Sequence, residues 1–402
     1  MKQEKIITNI TLILLLTFLI ISCTPSPTAD VVDKETIKIG VILPLTGPSS
    51  DLGQYTRRGI LLGLEEINVN PDYKYNYELI FEDSTYNPTI GVTAINKLIS
   101  VDSVRHVIGA QGSSVTLAIA PVAERNKIIL ITPSSQSDEI SKVGDFIFRT
   151  QVNTAQDARF ISNYLLEKIG SETLDFLVVN TAYGESVINN LQTEFGARGG
   201  TIGLIQKLEP GDPDVRDPLL KIKTRNTKYV LMGTTRRQGG HILKQAQELG
   251  MTVNFFATSA IEGKELIEIG GEAAEDLIYT YPYDSTSTQP EMEIFRQKFL
   301  DKYGHENEAY SASGYDALNV LVKCIEIDKD TEAVKNCLYN TKNYHGASGL
   351  FSFDENGDVD KEFIIKTVKN GEFVKYEEGA EEPEENEVNE KPRIEDIIFE
   401  IS

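Results

Sequence analysis

The chain has 402 residues, of which 40% are apolar and 25% are charged, and its formal net charge is −22 at pH 7. This length and composition are those of a globular protein with room for two domains of ordinary size. Nucleic-acid binding needs a basic face, so the acidic excess argues against a nucleic-acid partner.

The N-terminal segment, residues 1–22, has the pattern of a secretory signal peptide. Lysines in "MKQEK" precede the apolar run "IITNITLILLLTFLII", which is shorter than the roughly 20 apolar residues of a membrane-spanning helix. Ser22 followed by Cys23 resembles the lipobox of secreted lipoproteins. The sequence therefore predicts an extracytoplasmic protein anchored to the cell membrane through lipid on Cys23, and the alternative is an uncleaved anchor with a chance cysteine. Residues 23–35 are rich in Pro, Ser and Thr and predict a tether.

From Thr36 onward the hydrophobic pattern alternates between strand-like and helix-like segments. The runs "IKIGVIL", "YELIFED", "VRHVIGA" and "KIILIT" predict strands, and the segments between them carry apolar residues at helical spacing, such as Ile60, Leu64 and Ile67. After "FIFRTQVN" the alternation restarts with "LDFLVVN", "TIGLIQKLE", "KYVLM", "VNFFAT" and "DLIYTYP". Repeated βα units form parallel sheets with helices on both faces, so the sequence predicts an α/β fold in two halves.

Beyond Asp284 the chain adds helices and then hairpins. "EMEIFRQKFLDKYG", "YSASGYDALNVLVKCIEI" and "TEAVKNCLYN" predict helices, and "SGLFSFDENGDVDKEFIIKTVKNGEFVKY" predicts β-hairpins. "DENGD" has the alternating acidic residues of a calcium loop, but no glutamate closes that loop, so a hairpin turn is the preferred interpretation and no metal site is predicted. Residues 377–402 contain eleven acidic and two basic residues and predict a disordered tail, in which "IEDIIFEIS" has no assigned role.

Two further cysteines, Cys324 and Cys337, lie on two of these predicted helices, which a short turn would join. In an oxidising compartment two remaining cysteines can pair, and a disulfide is the favoured interpretation. Two buried thiols are the alternative, and neither cysteine has the spacing of a zinc cluster.

Polar turns follow two consecutive predicted strands of the first half. "GAQGSS" (109–114) precedes a predicted helix, and "TPSSQSDE" follows the next strand. The carboxyl ends of parallel strands meet at one edge of a sheet, so both turns can face one crevice, where α/β proteins bind ligands. A helix N-terminus with the hydroxyls of Ser113 and Ser114 suits an anion such as a carboxylate. The alternative for either serine is a helix cap.

Phosphate-binding and hydrolase motifs are missing from these turns. Neither GxxxxGK[ST] nor GxGxxG occurs there, and no lysine lies at the turn. A serine nucleophile needs a base, but the four histidines lie in a predicted strand or in helical and loop contexts, and no GxSxG elbow occurs. We therefore expect a protein that binds a small molecule without enzyme activity, catalytic residues or a cofactor.

In their order and spacing these motifs resemble the type I periplasmic binding proteins, specifically the branched-chain amino-acid (leucine/isoleucine/valine) binding group. The similarity extends over most of residues 36–376 and includes "IKIGVILPLTGPSSDLGQYTRRGILLGLEEIN", "VIGAQGSS", "KIILITPSSQSDEI", "LVVNTAYGESV" and "SGLFSFDENGD". The resemblance implies two Rossmann-like lobes with mostly parallel central sheets, which close on a small solute and deliver it to the permease and ATPase subunits of an ABC importer. One lobe would comprise residues 36–152 plus 283–351, and the other residues 153–282 plus 352–376. Three crossover strands would join them near Gln151–Asn153, Tyr281–Tyr283 and Phe351–Asp354.

The resemblance also implies a set of ligand-binding residues. In the family a serine in the first turn holds a ligand carboxylate, and Ser113 matches it. Groups in the second turn contribute as well, and Ser134 and Gln136 match these. Tyr183 matches an aromatic residue that closes over the ligand from the second lobe. Leu52 stands where the family places an aromatic pocket wall, and the alternative is an ordinary apolar loop residue.

Two positions depart from the family pattern. Amino-acid binders have a glutamate in the loop "FFATSAIEG" that pairs with the ligand ammonium, and the aligned residue here is Ser259. Thr235 replaces a position that is often aromatic. Burying an ammonium without a carboxylate costs on the order of several kcal/mol. The sequence therefore favours a polar or carboxylate-bearing solute without a required positive charge, unless Glu262 turns into the site.

Taken together, the sequence predicts a lipid-anchored solute-binding protein of an ABC importer. The alternative is a ligand-sensing receptor module of the same fold without a transport role.

Overall fold

The structure is a computed structural model that describes residues 34–377. The predicted signal peptide, the lipidation site at Cys23 and the acidic tail from residue 378 lie outside this range. Among the described residues, none of the helices combines the length and apolarity that a membrane span requires.

The first half of the chain forms a five-stranded parallel sheet in the order β2-β1-β3-β4-β5. Its strands are β1 (Thr36–Leu43), β2 (Asn76–Asp83), β3 (His106–Gly109), β4 (Ile129–Thr132) and β5 (Ile147–Arg149). The connecting helices are α1 (Ser50–Val69), α2 (Pro88–Ser100) and α3 (Ser113–Arg125). Every residue of β3 and β4 is buried, as expected for parallel strands that helices cover on both faces.

A seven-stranded sheet in the order β14-β13-β10-β9-β8-β6-β7 follows. Five of its strands are parallel: β6 (Thr173–Val179), β7 (Thr201–Leu208), β8 (Tyr229–Gly233), β9 (Asn254–Ala257) and β10 (Ile278–Tyr281). The last two form an antiparallel hairpin at one edge, β13 (Ile364–Lys369) and β14 (Glu372–Lys375). The helices of this half are α4 (Thr154–Ile169), α5 (Ala182–Glu194), α6 (Arg216–Lys223), α7 (Arg236–Glu248) and α8 (Lys264–Gly270). The predicted α/β class with mostly parallel sheets is confirmed.

After β10 the chain returns to the first half. It forms α9 (Pro290–Tyr303), α10 (Ala309–Ile327), α11 (Thr331–Tyr339) and the small hairpin β11 (Tyr344–Gly346) and β12 (Gly349–Phe351). α10 packs against α1, and a Cβ on Gly59 of α1 would lie only 1.9 Å from the carbonyl oxygen of Ser311. This helix contact therefore depends on glycine at position 59. We call the five-stranded sheet with α1–α3, α10 and α11 the first lobe, and the seven-stranded sheet with its helices the second lobe.

The third passage between the lobes lies later in the chain than the resemblance implies. Phe353 and Val359 form an isolated β-bridge, and both are buried in the core of the first lobe. Phe353 packs edge-on against the rings of Phe148 and Phe351 there. The chain joins the second sheet only at Ile364, so part of the segment expected in the second lobe belongs to the first.

Two predicted local features also have defined places in the fold. Cys324 and Cys337 are joined as a disulfide, which links α10 to α11. In "DENGD", the carboxylate of Asp354 accepts the backbone N–H groups of Asn356 and Asp358, which closes a tight turn. Within residues 34–377 no group of His, Cys, Asp and Glu side chains is arranged to hold a metal ion.

Candidate ligand-binding cleft

The turn between β3 and α3 is shaped by a glycine. Gly112 has φ +90 and is the N-cap of α3. A Cβ at this position would lie 2.7 Å from the ring of Tyr86, so only glycine lets that ring approach. The carbonyl of Gly112 accepts the N–H groups of Val115 and Thr116. The N–H groups before them therefore lie at the open end of the helix.

A buried polar cluster fixes this turn to the next one. The carbonyl oxygen of Ala110 accepts the hydroxyls of Thr116 at 3.1 Å, Thr132 at 2.8 Å and Ser135 at 3.1 Å. The hydroxyl oxygens of Thr116 and Ser135 are 2.7 Å apart, so either hydroxyl can instead donate to the other while the remaining donors keep the Ala110 carbonyl satisfied. Neutral hydrogen bonds of this kind stabilise a protein by about 1 kcal/mol each, and buried networks hold one geometry. The two turns therefore form one rigid wall.

The hydroxyl of Ser113 connects the two turns directly. Its oxygen accepts the backbone N–H groups of Gln136 at 3.3 Å and Ser137 at 3.1 Å. Because Gly112 is the N-cap and no side chain caps α3, the capping alternative does not describe Ser113. Its acceptor positions are filled by two donors, so its own O–H proton is available to a further acceptor.

A small cavity of about 40 Å³ lies beside this wall, between the lobes. A cavity of this size has room for a few water molecules at most. Its lining carries no charged side chain. The lining residues are Leu52, Tyr86, Gln111, Gly112, Ser113, Ser134, Gln136 and Tyr310 from the first lobe, and Tyr183, Thr235 and Ala260 from the second.

Two buried polar atoms in this lining have no partner within the protein. They are the amide nitrogen Nε2 of Gln111 and the hydroxyl oxygen of Ser134. Gln111 is 2% exposed, and its Oε1 accepts the hydroxyl of Thr56. Leaving a buried polar group unpaired costs about 1–3 kcal/mol. A bound polar molecule would remove this cost, so the cavity has the character of a ligand site.

A larger cavity of about 510 Å³ lies at the other end of the second sheet. It is lined by the first residues of three parallel strands, Tyr229, Asn254 and Ile278. Ligands of α/β proteins bind at the carboxyl ends of the strands. The small cavity is at the carboxyl ends of β3 and β4, so we take it as the candidate site.

Hydrogen bonds cross the cleft and hold the lobes together. Gln136 Nε2 donates to Ser259 Oγ at 3.0 Å, and the backbone N–H of Ala182 donates to Ser114 Oγ at 3.3 Å. The hydroxyls of Ser137 and Ser186 bond at 2.8 Å. The lobes are thus closed in this structure.

The residues expected at the ligand occupy three kinds of position. Six line the cavity: Leu52, Ser113, Ser134, Gln136, Tyr183 and Thr235. Ser259 lies behind the lining, bonded to Gln136, and Ser114 makes the cross-cleft contact. Glu262 does not turn into the cavity, because its carboxylate pairs with Lys366 at 2.7 Å and accepts the hydroxyl of Tyr279.

A buried ionic cluster adjoins the cavity, beyond Thr235 and Tyr310. Arg236, which is 1% exposed, contacts Glu308 of the first lobe at 2.7 Å and Glu265 at 3.4 Å. Its guanidinium lies over the ring of Tyr310, 5.5 Å from the centroid. Burial raises the pKa of Glu308 to about 7, although the charge of Arg236 acts to lower it. Sequence reasoning missed this pair because its members lie far apart in the chain.

Sequence reasoning also missed Tyr86, Gln111 and Tyr310 as lining residues. Gln111 stands inside the quoted GAQGSS turn, so its position was a usable signal. Tyr86 follows β2 with φ +61, and Tyr310 lies in the first turn of α10, and no pattern around either marks it as part of a cleft.

Comparison with known proteins identifies the family to which this fold belongs. A family profile described as "Periplasmic binding protein" matches residues 36–372. The chain belongs to the periplasmic binding protein family.

Individual relatives of this binding protein align with most of its length. A leucine-binding protein from Thermotoga maritima superposes with a TM-score of 0.81 at 30% identity, covering 85% of this chain and 98% of that one. The leucine-, isoleucine-, valine-, threonine- and alanine-binding protein of Pseudomonas aeruginosa is 26% identical over 85% of this chain and 90% of its own length. A Rhodopseudomonas palustris solute-binding protein in complex with 3,4-dihydroxybenzoic acid has a TM-score of 0.78 at 21% identity, covering 85% and 95% of the two chains, and shows the shared fold. The resemblance inferred from the sequence motifs is confirmed.

Proposed function

We propose that this protein is the extracytoplasmic solute-binding component of an ABC importer. In this proposal it captures a small polar or carboxylate-bearing solute, an amino acid or a related acid, between its two lobes. The observation that carries the proposal is the set of buried donors on the cavity: the free amide of Gln111, the free hydroxyl of Ser134 and the available proton of Ser113. Relatives that bind leucine and other amino acids support the same solute class.

The first-lobe wall suits a carboxylate for a physical reason. A carboxylate needs several donors, and here the Ser113 hydroxyl, the Gln111 amide and the open N–H groups of α3 lie together. A helix N-terminus carries a partial positive charge, which favours an anion without a cationic side chain. The cavity lining has no lysine or arginine, so neutral donors do this work.

Solute capture would proceed by closure of the lobes. The cavity is far smaller than an amino acid, and Gln136 bonds across it to Ser259. A solute therefore enters when the lobes separate, and the contacts of Tyr183 and Thr235 from the second lobe favour the closed state once it is bound. A ligand shifts this equilibrium only as far as it binds the closed form better.

Anchoring and delivery belong to the same proposal. Lipid on Cys23 would hold the protein at the outer face of the membrane, and the permease and ATPase subunits of the importer would receive the solute. The lipobox-like sequence and the family membership support these steps. The binding step itself needs no enzyme activity and no cofactor.

A thermal-shift screen of the lipid-free mature chain tests the proposal. Amino acids, amides, short-chain acids and aromatic acids would each be added in excess. A solute at 100 times its dissociation constant stabilises the folded state by about 2.7 kcal/mol, which is readily measured. Small-angle scattering should show compaction with the same solute. Stabilisation by none of these compounds, or a hit without compaction, would contradict the proposal.

A further inference from the structure

A buried carboxylate lies directly behind the second-lobe side of the cavity. Asp157, in the first turn of α4, is 2% exposed. Its carboxylate accepts the backbone N–H of Ser259 at 2.9 Å and the hydroxyl of Thr280. Among the described residues no lysine, arginine or histidine forms an ion pair with it. A carboxylate removed from water without a cation is strongly destabilised.

Other compensation for this charge is incomplete. The N-terminus of α4 favours an anion in its first turn, but the benefit is small beside the loss of hydration. Accordingly, burial raises the pKa of Asp157, and its hydrogen bonds only oppose that shift. Arg236, the buried cation next to Thr235, is already matched by Glu308 and Glu265.

A chain of polar groups connects this carboxylate to the cavity. Gln136 lines the cavity and donates to the hydroxyl oxygen of Ser259, and the backbone N–H of the same serine donates to the Asp157 carboxylate. The charge also acts on the lining itself. Burial raises the pKa of Tyr183, and the negative charge of Asp157 raises it further.

We infer that Asp157 is the negative pole of the binding site and, acting through Ser259 and Gln136, selects solutes that carry a protonated amino group as well as a carboxylate. This inference rests on the proposed function and narrows its solute class. It also replaces the expectation drawn from Ser259 alone. The missing acid of that loop is supplied from α4, one hydrogen bond further from the solute.

Such a solute would bridge the cleft by its two charges. Its carboxylate would lie at the N-terminus of α3 in the first lobe, and its amino group would lie toward Ser259 in the second lobe. In the closed structure the Gln136 amide occupies the donor position next to Ser259. An ammonium group donates hydrogen bonds in the same way, so it can take the place of that amide. The electrostatic attraction would then add to closure.

The test compares matched solutes with and without the amino group. The pairs are L-leucine with 4-methylpentanoic acid, and L-phenylalanine with 3-phenylpropanoic acid, each titrated calorimetrically into the full mature chain. The wild type should bind the amino acid of at least one pair about 10-fold or more tightly than its deaminated partner. A charge interaction across one intervening hydroxyl at intermediate dielectric is of this size. Asp157→Asn should abolish most of that preference without lowering the melting temperature.

Two further variants separate selectivity from folding. Asp175→Asn is the control for removing another buried carboxylate of the second lobe, because Asp175 is fully buried and accepts a backbone N–H and a hydroxyl, from Leu204 and Thr227. Asp175 also pairs with Arg225 at 3.2 Å, so this variant should lose some stability. It should keep the wild-type preference. Ser259→Ala breaks the connection while leaving the carboxylate in place and should reduce the preference in the same direction as Asp157→Asn. If Asp157→Asn does not fold, the preference of Ser259→Ala for amino acids over deaminated acids tests the inference in its place.

The results that would overturn the role of Asp157 differ from those that would overturn the proposed function. The inference is overturned if the wild type binds deaminated acids as well as amino acids, or if Asp157→Asn weakens both members of a pair equally. A hit on aromatic or short-chain acids alone overturns it while leaving solute capture intact. Binding of no solute at all in the thermal-shift screen contradicts the proposed function itself.

Discussion

The two walls of the cleft are built in different ways. The first-lobe wall comes from two consecutive strand ends, and the hydroxyl of Ser113 and the carbonyl of Ala110 tie its turns into one unit. The second-lobe wall is assembled from three separate parts of the chain: Tyr183 in the first turn of α5, Thr235 directly before α7 and Ala260 after β9. The first-lobe wall is therefore one hydrogen-bonded unit, whereas each side chain of the second-lobe wall is positioned by a different βα connection.

The largest effect is expected from removing the ionic contact between the two lobes, which joins Arg236 to Glu308. Arg236→Gln leaves Glu308 and Glu265 without their buried cation, and breaking such a pair costs roughly 3–5 kcal/mol. Opening the cleft returns Glu308 to water, so we expect much of this cost to fall on closure. Solute affinity should fall by more than 100-fold, a change measurable by calorimetry.

A surface pair provides the control for that variant. Arg216 pairs with Glu248 at 3.0 Å, and both side chains are about half exposed. Exposed pairs contribute about 0–1 kcal/mol, so Arg216→Gln should leave affinity and melting temperature nearly unchanged. Equal affinities for Arg236→Gln and wild type would show that the cluster does not act in closure.

The next largest effect concerns stability rather than binding. His106 begins β3, at the end away from the cleft, and neither ring nitrogen has a hydrogen-bond partner. Burial, together with a smaller effect of the charge of Arg105, lowers the pKa of His106 to about 4. The unfolded chain takes up a proton below about pH 6.5, whereas the folded protein takes it up only near pH 4. Stability should therefore be complete above pH 6.5 and fall by about 3 kcal/mol as the pH drops to 4.

Denaturation of His106→Leu across pH 4 to 8 isolates this contribution. The variant should lack the acid-side loss, so its stability relative to wild type should rise as the pH falls. Taking the difference also removes the effect of Glu308, whose raised pKa acts with the opposite sign. Parallel curves for the two proteins would exclude a neutral buried histidine.

The contrast between the two walls also explains which parts of the site could be predicted from the sequence. The alternating hydrophobic runs predicted both sheets, and turns after neighbouring strands identified Ser113, Ser134 and Gln136, because strand order fixes their meeting point. Tyr86 and Tyr310 reach the cavity only through packing between distant elements. Nothing in the sequence around Asp157 marks it as part of the cleft, since its burial depends on the loop after β9 and on β10.

Ser113 gives the next effect, and its removal should weaken both solute binding and stability. Ser113→Ala removes a donor to the solute carboxylate, and a hydrogen bond to a charged group is worth about 1.5–3 kcal/mol, or roughly 10- to 150-fold in affinity. It also leaves the N–H groups of Gln136 and Ser137 without their acceptor. Denaturant titration should therefore show a loss of stability of about 1–3 kcal/mol. Parallel losses in both measurements are thus expected and do not indicate a merely capping serine.

Gln111 separates the two effects that Ser113 combines. Its Nε2 has no partner in the closed protein, and Thr56, which donates to its Oε1, also reaches the carbonyl oxygen of Leu52. Gln111→Met therefore removes an unpaired buried donor, leaves Thr56 with an acceptor and fills a similar volume. The variant should be as stable as wild type or slightly more stable, while affinity falls by about 5- to 10-fold through the loss of one hydrogen bond. Unchanged affinity would remove Gln111 from the ligand contacts and leave Ser113 and the α3 amides as the carboxylate donors. Reduced stability would show that the bond between Thr56 and the Gln111 carbonyl oxygen supports the first-lobe wall, so that Gln111 has a structural role as well as a binding role.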